Sequence, residues 1–300
     1  MSTLPELVEQ ARGILNQHTT HRPIMATFTG WVGDAPYTGI GLSGLSGQQR
    51  INSALVELGH ELVYVSSHDP VANTTLCPPW FRQQQGSPAN DDYPTNSVAV
   101  VNPQWPYHVV ARNIQAGIAQ CYPSIFKATT ITIQSETLTE RYLLPSDVDE
   151  IHTVRIQDDV YPTRPEREVQ RWTLDTKAAD GNRYLHMEQV YRSGMPILIT
   201  YRAAPVVPVV TSSAEWSTTG LPATAEDIPV LWAVAQMLPS ADASKTQLTS
   251  VEQSERNRFV QPGAANAASR RFNELYMMRL GEERKKLFDR FPPRVHRSMY

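Results

Sequence analysis

"EDIPVLWAVAQMLPS", residues 226–240, is the stretch whose reading decides the fold. Its apolar residues cover nearly every side of a helix, yet the run falls short of the roughly 20 apolar residues that a membrane-spanning helix needs. Asp227 has the form of an N-cap, Pro229 fits the first turn, and Pro239 is expected to end the helix. A helix apolar all round belongs inside a core, so this segment predicts the most buried helix of the chain.

Three further helices are expected around it. "TLPELVEQARGILNQ" places Leu4, Leu7, Val8, Ala11, Ile14 and Leu15 on one face, and Thr3 with Glu6 has the pattern of a capping box. From about Trp105 to Cys121, Tyr107, Val110, Ala111, Ile114, Ile118 and Cys121 form a second stripe, and Pro123 stops it. From about Ala264 to Phe291, Phe272, Tyr276, Leu280, Leu287 and Phe291 share a face under a dense mixed-charge surface.

Between the helices the period changes. Residues 23–102 break into short runs such as "IMATFTGWV", "ALVEL" and "ELVYVSS", with Gly59-His60 placed as a two-residue hairpin turn. Residues 126–204 return to short strands, which implies a sandwich or barrel-like sheet. The expected fold is therefore α+β, a bundle of about four helices with two antiparallel β insertions. Residues 1–22, 103–124 and 225–292 form the bundle; 23–102 and 125–208 are the β insertions; 293–300 are a C-terminal tail.

A net charge of -3 argues against wholesale binding of nucleic acid or an acidic membrane. Cys77 and Cys121 lie far apart with no Cys/His cluster beside them, so they read as free thiols rather than a disulfide or zinc site. The chain opens without a basic region followed by an apolar run, so no signal peptide is expected.

Three motifs are weighed against plainer readings. "GIGLSG" has the spacing Gly39-x-Gly41-x-x-Gly44 of a dinucleotide-binding turn, but its flanks read as a hairpin and a flexible loop. "HELVYVSSHD" offers His60, Glu61, His68 and Asp69, yet His60 and His68 are too far apart on a strand for one ion. "PSDVDEI" offers Asp147, Asp149 and Glu150, which read as an acidic turn rather than a calcium loop or acid/base pair. No nucleophile elbow or phosphate loop is present, so no enzyme, cofactor or metal is expected.

Basic residues crowd the last helix and tail: Arg270, Arg271, Arg279, Arg284, Lys285, Lys286, Arg290, Arg294 and Arg297. They suit a solvated helix face, docking on an acidic protein surface, or the lining of a channel through which DNA passes.

"VVNPQWPYHVVARNIQAGIAQCYPSIFKATTITI", "RYLLPSDVDEIHTVRI", "ILITYRA", "TGLPATAEDIPVLWAVAQMLPS" and "AANAASRRFNELYMMRLGEERKKLFDRFPP", in this order, resemble the head-to-tail adaptors, or connectors, of tailed phages, particularly those infecting actinobacteria. The resemblance spans most of residues 100–292; residues 20–100 share only a general β character, and the loops near 81–96 and 209–224 depart from it. It implies a virion structural protein, made in the host cytoplasm and placed in the neck between capsid and tail. It implies a twelvefold ring of copies beneath the portal protein, around passing genomic DNA that is not read by sequence, with β domains that receive a downstream neck or tail protein. No membrane partner is implied. On this reading Arg284, Lys285, Arg290, Phe291, Arg294, Arg297, Met299 and Tyr300 meet the portal, and Arg270, Arg271, Arg279 and Lys286 face the channel. The alternatives are another neck or minor tail protein with a receptor- or glycan-binding β domain, and, further off, a nucleotide-binding enzyme.

Overall fold

The computed structural model describes residues 2–18, 24–32, 39–45, 53–69, 74–78, 82, 93–136, 138–157, 166–176, 180–210, 213, 215–246 and 263–292. The chain divides into two units, Met1–Gly117 with Pro208–Glu215 and Glu226–Tyr276, and Ile118–Val207 with Trp216–Ala225 and Met277–Tyr300.

In the first unit the strands are β1 (Ile24–Val32), β2 (Gly39–Ser43), β3 (Ala54–Leu58), β4 (Glu61–Val65), β5 (Ser67–Asp69), β6 (Thr74–Leu76) and β7 (Val98–Val101). They form one antiparallel sheet in the order β4-β3-β7-β1-β2-β6-β5. Its two end strands, β4 and β5, are separated in the chain by Ser66 alone, so the sheet rolls around its own core. Alternate residues fill that core, among them Ala26, Phe28, Ile40, Leu42, Val56, Leu58, Val63, Ala99 and Val101. The hairpin between β3 and β4 turns at Gly59 and His60, where Gly59 takes a positive φ of 55°.

Helix α1 (Leu4–Gln17) buries Leu4, Leu7, Val8, Ala11 and Leu15 and packs on α3 (Asp227–Thr246). The Glu6 carboxylate accepts the Thr3 N–H at 2.7 Å, which satisfies one of the donors that a helix start leaves open. Helix α2 (Tyr107–Cys121) meets α3 at Gly117, where an added Cβ would lie 3.0 Å from Pro229. Glu57 of β3 fastens these helices to the sheet. Its carboxylate is 3% exposed, accepts the Tyr107 N–H at the start of α2 at 2.6 Å, and pairs with Arg12 of α1 at 3.0 Å. Burial outweighs the pull of Arg12 and raises the Glu57 carboxyl above its ordinary value.

In the second unit β8 (Lys127–Gln134), β10 (Glu150–Ile156), β11 (Arg167–Glu168) and β14 (Pro196–Ala203) form a sheet in the order β11-β10-β14-β8. The strands β9 (Arg141–Leu144), β12 (Trp172–Asp175) and β13 (Arg183–Met187) form a second, in the order β12-β13-β9. Both sheets contribute to one core, with Ile151, Val154, Ile197, Ile199 and Tyr201 from the first and Tyr142, Leu144, Trp172, Leu185 and Met187 from the second. Helix α4 (Ala264–Arg290) is divided between the units at Tyr276 and Met277.

This architecture corrects the expected bundle with two β insertions. The fold is mixed, with four helices and three antiparallel sheets among the described residues. The strand residues close two cores of their own, and the helices are fastened to strand residues such as Glu57 instead of closing only on one another. Four apolar helix faces were read as mutually complementary because periodicity shows that a face is buried and not what buries it.

Helix α3 also runs on through Pro239 to Thr246. A proline inside a helix withdraws the N–H that would reach the carbonyl four residues back, here Ala235. That carbonyl accepts the Ser269 hydroxyl of α4 at 2.7 Å. The kinked ladder is thus satisfied from a neighbouring helix, and the helix has no reason to stop.

Three substitutions at two positions test these joints. Glu57→Ala leaves the Tyr107 N–H unmet while Arg12 keeps its pair with Glu9, and is expected to lower the unfolding free energy by about 2 kcal/mol, whereas Glu57→Gln, which keeps an acceptor, costs less. Ser269→Ala leaves the Ala235 carbonyl unmet and costs about 1 kcal/mol. Urea unfolding curves of the four proteins, wild type included, check the order.

Candidate functional site

Helix α4 carries the chain's densest run of charge, and its burial pattern decides which charges can reach a partner. One line of residues faces inward: Ala265, Tyr276, Glu283 and Leu287 are buried, with Phe272, Leu280 and Phe291 half-buried. In the first unit Ser269 holds Ala235, and the edge of the His18 ring meets Phe272 at 5.8 Å. In the second unit Glu283 is the anchor. It is 1% exposed, accepts the Thr224 hydroxyl at 2.6 Å and receives Lys286 at 2.6 Å.

Arg279 donates to the Thr224 carbonyl at 2.9 Å and to Glu282 at 2.5 Å. Of the residues read from the sequence as channel-facing, Arg279 therefore helps to clamp α4 in place, while Lys286 is exposed and pairs with Glu283 within the helix. Arg270, Arg271, Arg284, Lys285 and Arg290 are exposed. The Arg284 guanidinium lies 5.1 Å from the Phe288 ring and that of Arg290 lies 5.3 Å from Phe291. Phe291 packs against Phe126 and His152 of its own unit. Arg294, Arg297, Met299 and Tyr300 lie outside the described residues.

Two residues that charge patterning passed over complete this face. Met277 and Met278 are 58% and 53% exposed, adjacent apolar side chains in the middle of a charged helix. The signal was present in the sequence: both fall off the Phe272–Tyr276–Leu280 line, so a helix buried on that line has to leave them in water.

The competing motifs resolve into structural parts. Gly39 and Gly41 lie inside β2, in extended backbone, where a Cβ on Gly39 would collide with the Thr75 carbonyl and one on Gly41 with the Thr29 hydroxyl. These glycines admit close neighbours in the sheet and cradle no phosphate. Glu61 is fully buried and grips Arg82 through two bonds of 2.8 Å, with the guanidinium 4.5 Å from the Trp31 ring. His60 is half-buried beside Tyr107, and the side chains of His68 and Asp69 lie outside the described residues.

In the acidic turn Asp147 accepts the Tyr201 hydroxyl, Asp149 that of Tyr122, and Glu150 pairs with Arg202 at 3.0 Å. The three carboxylates are bound to their own sheet. Among the described residues no three His, Cys, Asp or Glu side chains converge on a metal position. Burial pushes the Cys121 thiol up to about 12 and raises Cys77, the opposite of an activated nucleophile. No described helix is long and apolar enough to cross a membrane.

Compared with known proteins, the chain matches no family model and no curated sequence.

Gly39→Ala is expected to cost about 1–3 kcal/mol of stability, because the added methyl meets backbone and not a yielding side chain. Thermal unfolding with and without nucleotide checks the assignment: a nucleotide-dependent rise in the wild-type midpoint would contradict a purely structural role for "GIGLSG".

Proposed function

We propose that the chain is a virion structural protein, a head-to-tail adaptor that forms a ring beneath the portal, extends the DNA channel and joins the capsid to the tail or neck. The observation that carries this reading is the asymmetry of α4. The helix is gripped from one side at Ser269, Arg279 and Glu283, presents Arg270, Arg271, Met277, Met278, Arg284 and Lys285 away from it, and exposes Arg290 at its end. Exposed methionines flanked by arginines give adaptable apolar contact with a charged rim, the composition of a protein-docking surface.

Charge supports the same reading. Seven cations against four carboxylates give residues 264–290 a charge of +3, and with -3 for the whole chain the remainder carries -6. A basic helix on an acidic body favours head-to-tail contact between identical copies, the arrangement that closes rings. A modest positive lining also suits DNA that must pass without being held, since grip grows with each phosphate neutralised. Arg284, Lys285 and Arg290 are assigned to the portal side, and Arg270 and Arg271 to the channel. The sheets of both units remain for the downstream neck or tail protein.

The test is binding of the chain to the portal protein of the same phage across a salt series. The pair Arg284→Glu with Lys285→Glu is expected to weaken binding by at least about tenfold and to flatten its salt dependence. Arg270→Glu with Arg271→Glu is expected to leave portal binding unchanged. Equal binding by all three proteins would remove α4 from the interface and favour another neck or minor tail position.

A further inference from the structure

His152 is 5% exposed, and among the described residues neither of its ring nitrogens has a hydrogen-bond partner. Buried imidazoles are ordinarily satisfied at one nitrogen at least, so the position calls for an explanation. It lies where the pairing of β10 with β14 slips: Ile151 pairs with Tyr201 and Thr153 with Thr200, which leaves His152 as the extra residue of a β-bulge. The bulge places two consecutive side chains, Ile151 and His152, out of water and turns the imidazole away from the ladder.

The ring stacks on Phe126 at 5.2 Å and 29°, and on the other partner, Phe291, at 5.2 Å and 30°. Phe291 directly follows α4, and its N–H closes the last helical bond onto the Leu287 carbonyl at 2.7 Å. The end of α4 is thus held in the second unit by a cluster of three rings, Phe126, His152 and Phe291, each in contact with the other two.

Among the described residues, the two carboxylates just before His152 in the chain already have partners. Glu150, the nearest carboxylate along β10, is paired with Arg202 of β14, and Asp149 accepts the Tyr122 hydroxyl and lies 3.7 Å from the same guanidinium. Arg202 also lies over the Phe126 ring at 5.4 Å, and Arg290 lies over Phe291 at 5.3 Å, so both neighbouring rings already carry cations. Burial holds His152 below the ordinary imidazole value of 6.5, against an opposing pull from Glu150 and with a lesser push from Arg202 in the same direction as burial.

We propose that His152 is an acid-sensitive latch: neutral, it packs Phe291 and the last turn of α4 onto the second unit, and protonated, it must reach water and lets that turn go. The sign follows from linkage. A histidine whose folded value is depressed contributes nothing against the fold above about pH 6.5. Below that, the open form takes up the proton first, and the closed-to-open ratio falls by up to about tenfold per pH unit until the closed form titrates as well. The sequence beyond the latch continues with Arg294 and Arg297, so release would act on a basic terminus. The inference rests on the second unit alone and stands or falls independently of the adaptor reading.

The experiment is hydrogen exchange of the intact protein at pH 7.5 and 5.5, with each amide corrected for its intrinsic rate. For residues 287–291 the protection factor is expected to fall by about five- to tenfold at pH 5.5, while β14 keeps its protection. His152→Phe is expected to abolish the pH dependence, and Phe291→Ala to show the low protection at both pH values. Unchanged protection of 287–291 in the wild type overturns the latch, as does an equal loss throughout β14, which would be general acid unfolding. Retention of the pH effect in either variant overturns it too, so the test survives the failure of one variant to fold.

Discussion

A single backbone carbonyl in α3 helps to set the position of α4. Pro239 sits inside α3 and cannot donate to Ala235, and a buried carbonyl without a donor costs on the order of 1–3 kcal/mol. Ser269 of α4 supplies the missing donor. The proline that was expected to end one helix thereby fixes where another must lie. Once Ser269 is committed, the period of the helix turns Tyr276, Glu283 and Leu287 inward and Arg270, Met277, Arg284 and Lys285 outward. The candidate interaction surface is a consequence of that alignment.

Local pattern in the sequence carried much of this. The stripe Leu4–Leu7–Val8–Ala11–Leu15, the stripe beginning at Tyr107, the Gly59-His60 turn and the alternation of "KATTITI" each correspond to an element of the structure, because burial on one face imposes a period that composition displays. What was not legible was pairing. Glu57 reads as a surface residue of a strand until Arg12 and Tyr107, far away in sequence, arrive beside it. His152 reads as an ordinary strand residue because a bulge depends on the partner strand as well. The bundle expectation failed for the same reason, since four apolar faces do not state their partners.

The basic run at the C-terminal end was legible as a run, but its division of labour was not. Arg279 and Lys286 differ from Arg284 and Lys285 in nothing that composition records. The difference lies in what each reaches: Arg279 is half-buried and bonds the Thr224 carbonyl, Lys286 is exposed and pairs with Glu283 within the helix, and Arg284 and Lys285 point into solvent. The exposed methionines fall with the latter two. The structure thus separates charges that hold the helix from charges that remain for a partner, and that separation is what supports the adaptor reading over a merely solvated face.

The central claim is that this outward surface builds a ring on a portal. Native mass spectrometry of the chain, alone and mixed with the portal protein of the same phage, tests it most directly. The account predicts a complex whose mass corresponds to a portal ring carrying twelve added copies, weakened by salt. Absence of any such complex across the whole salt range would contradict it.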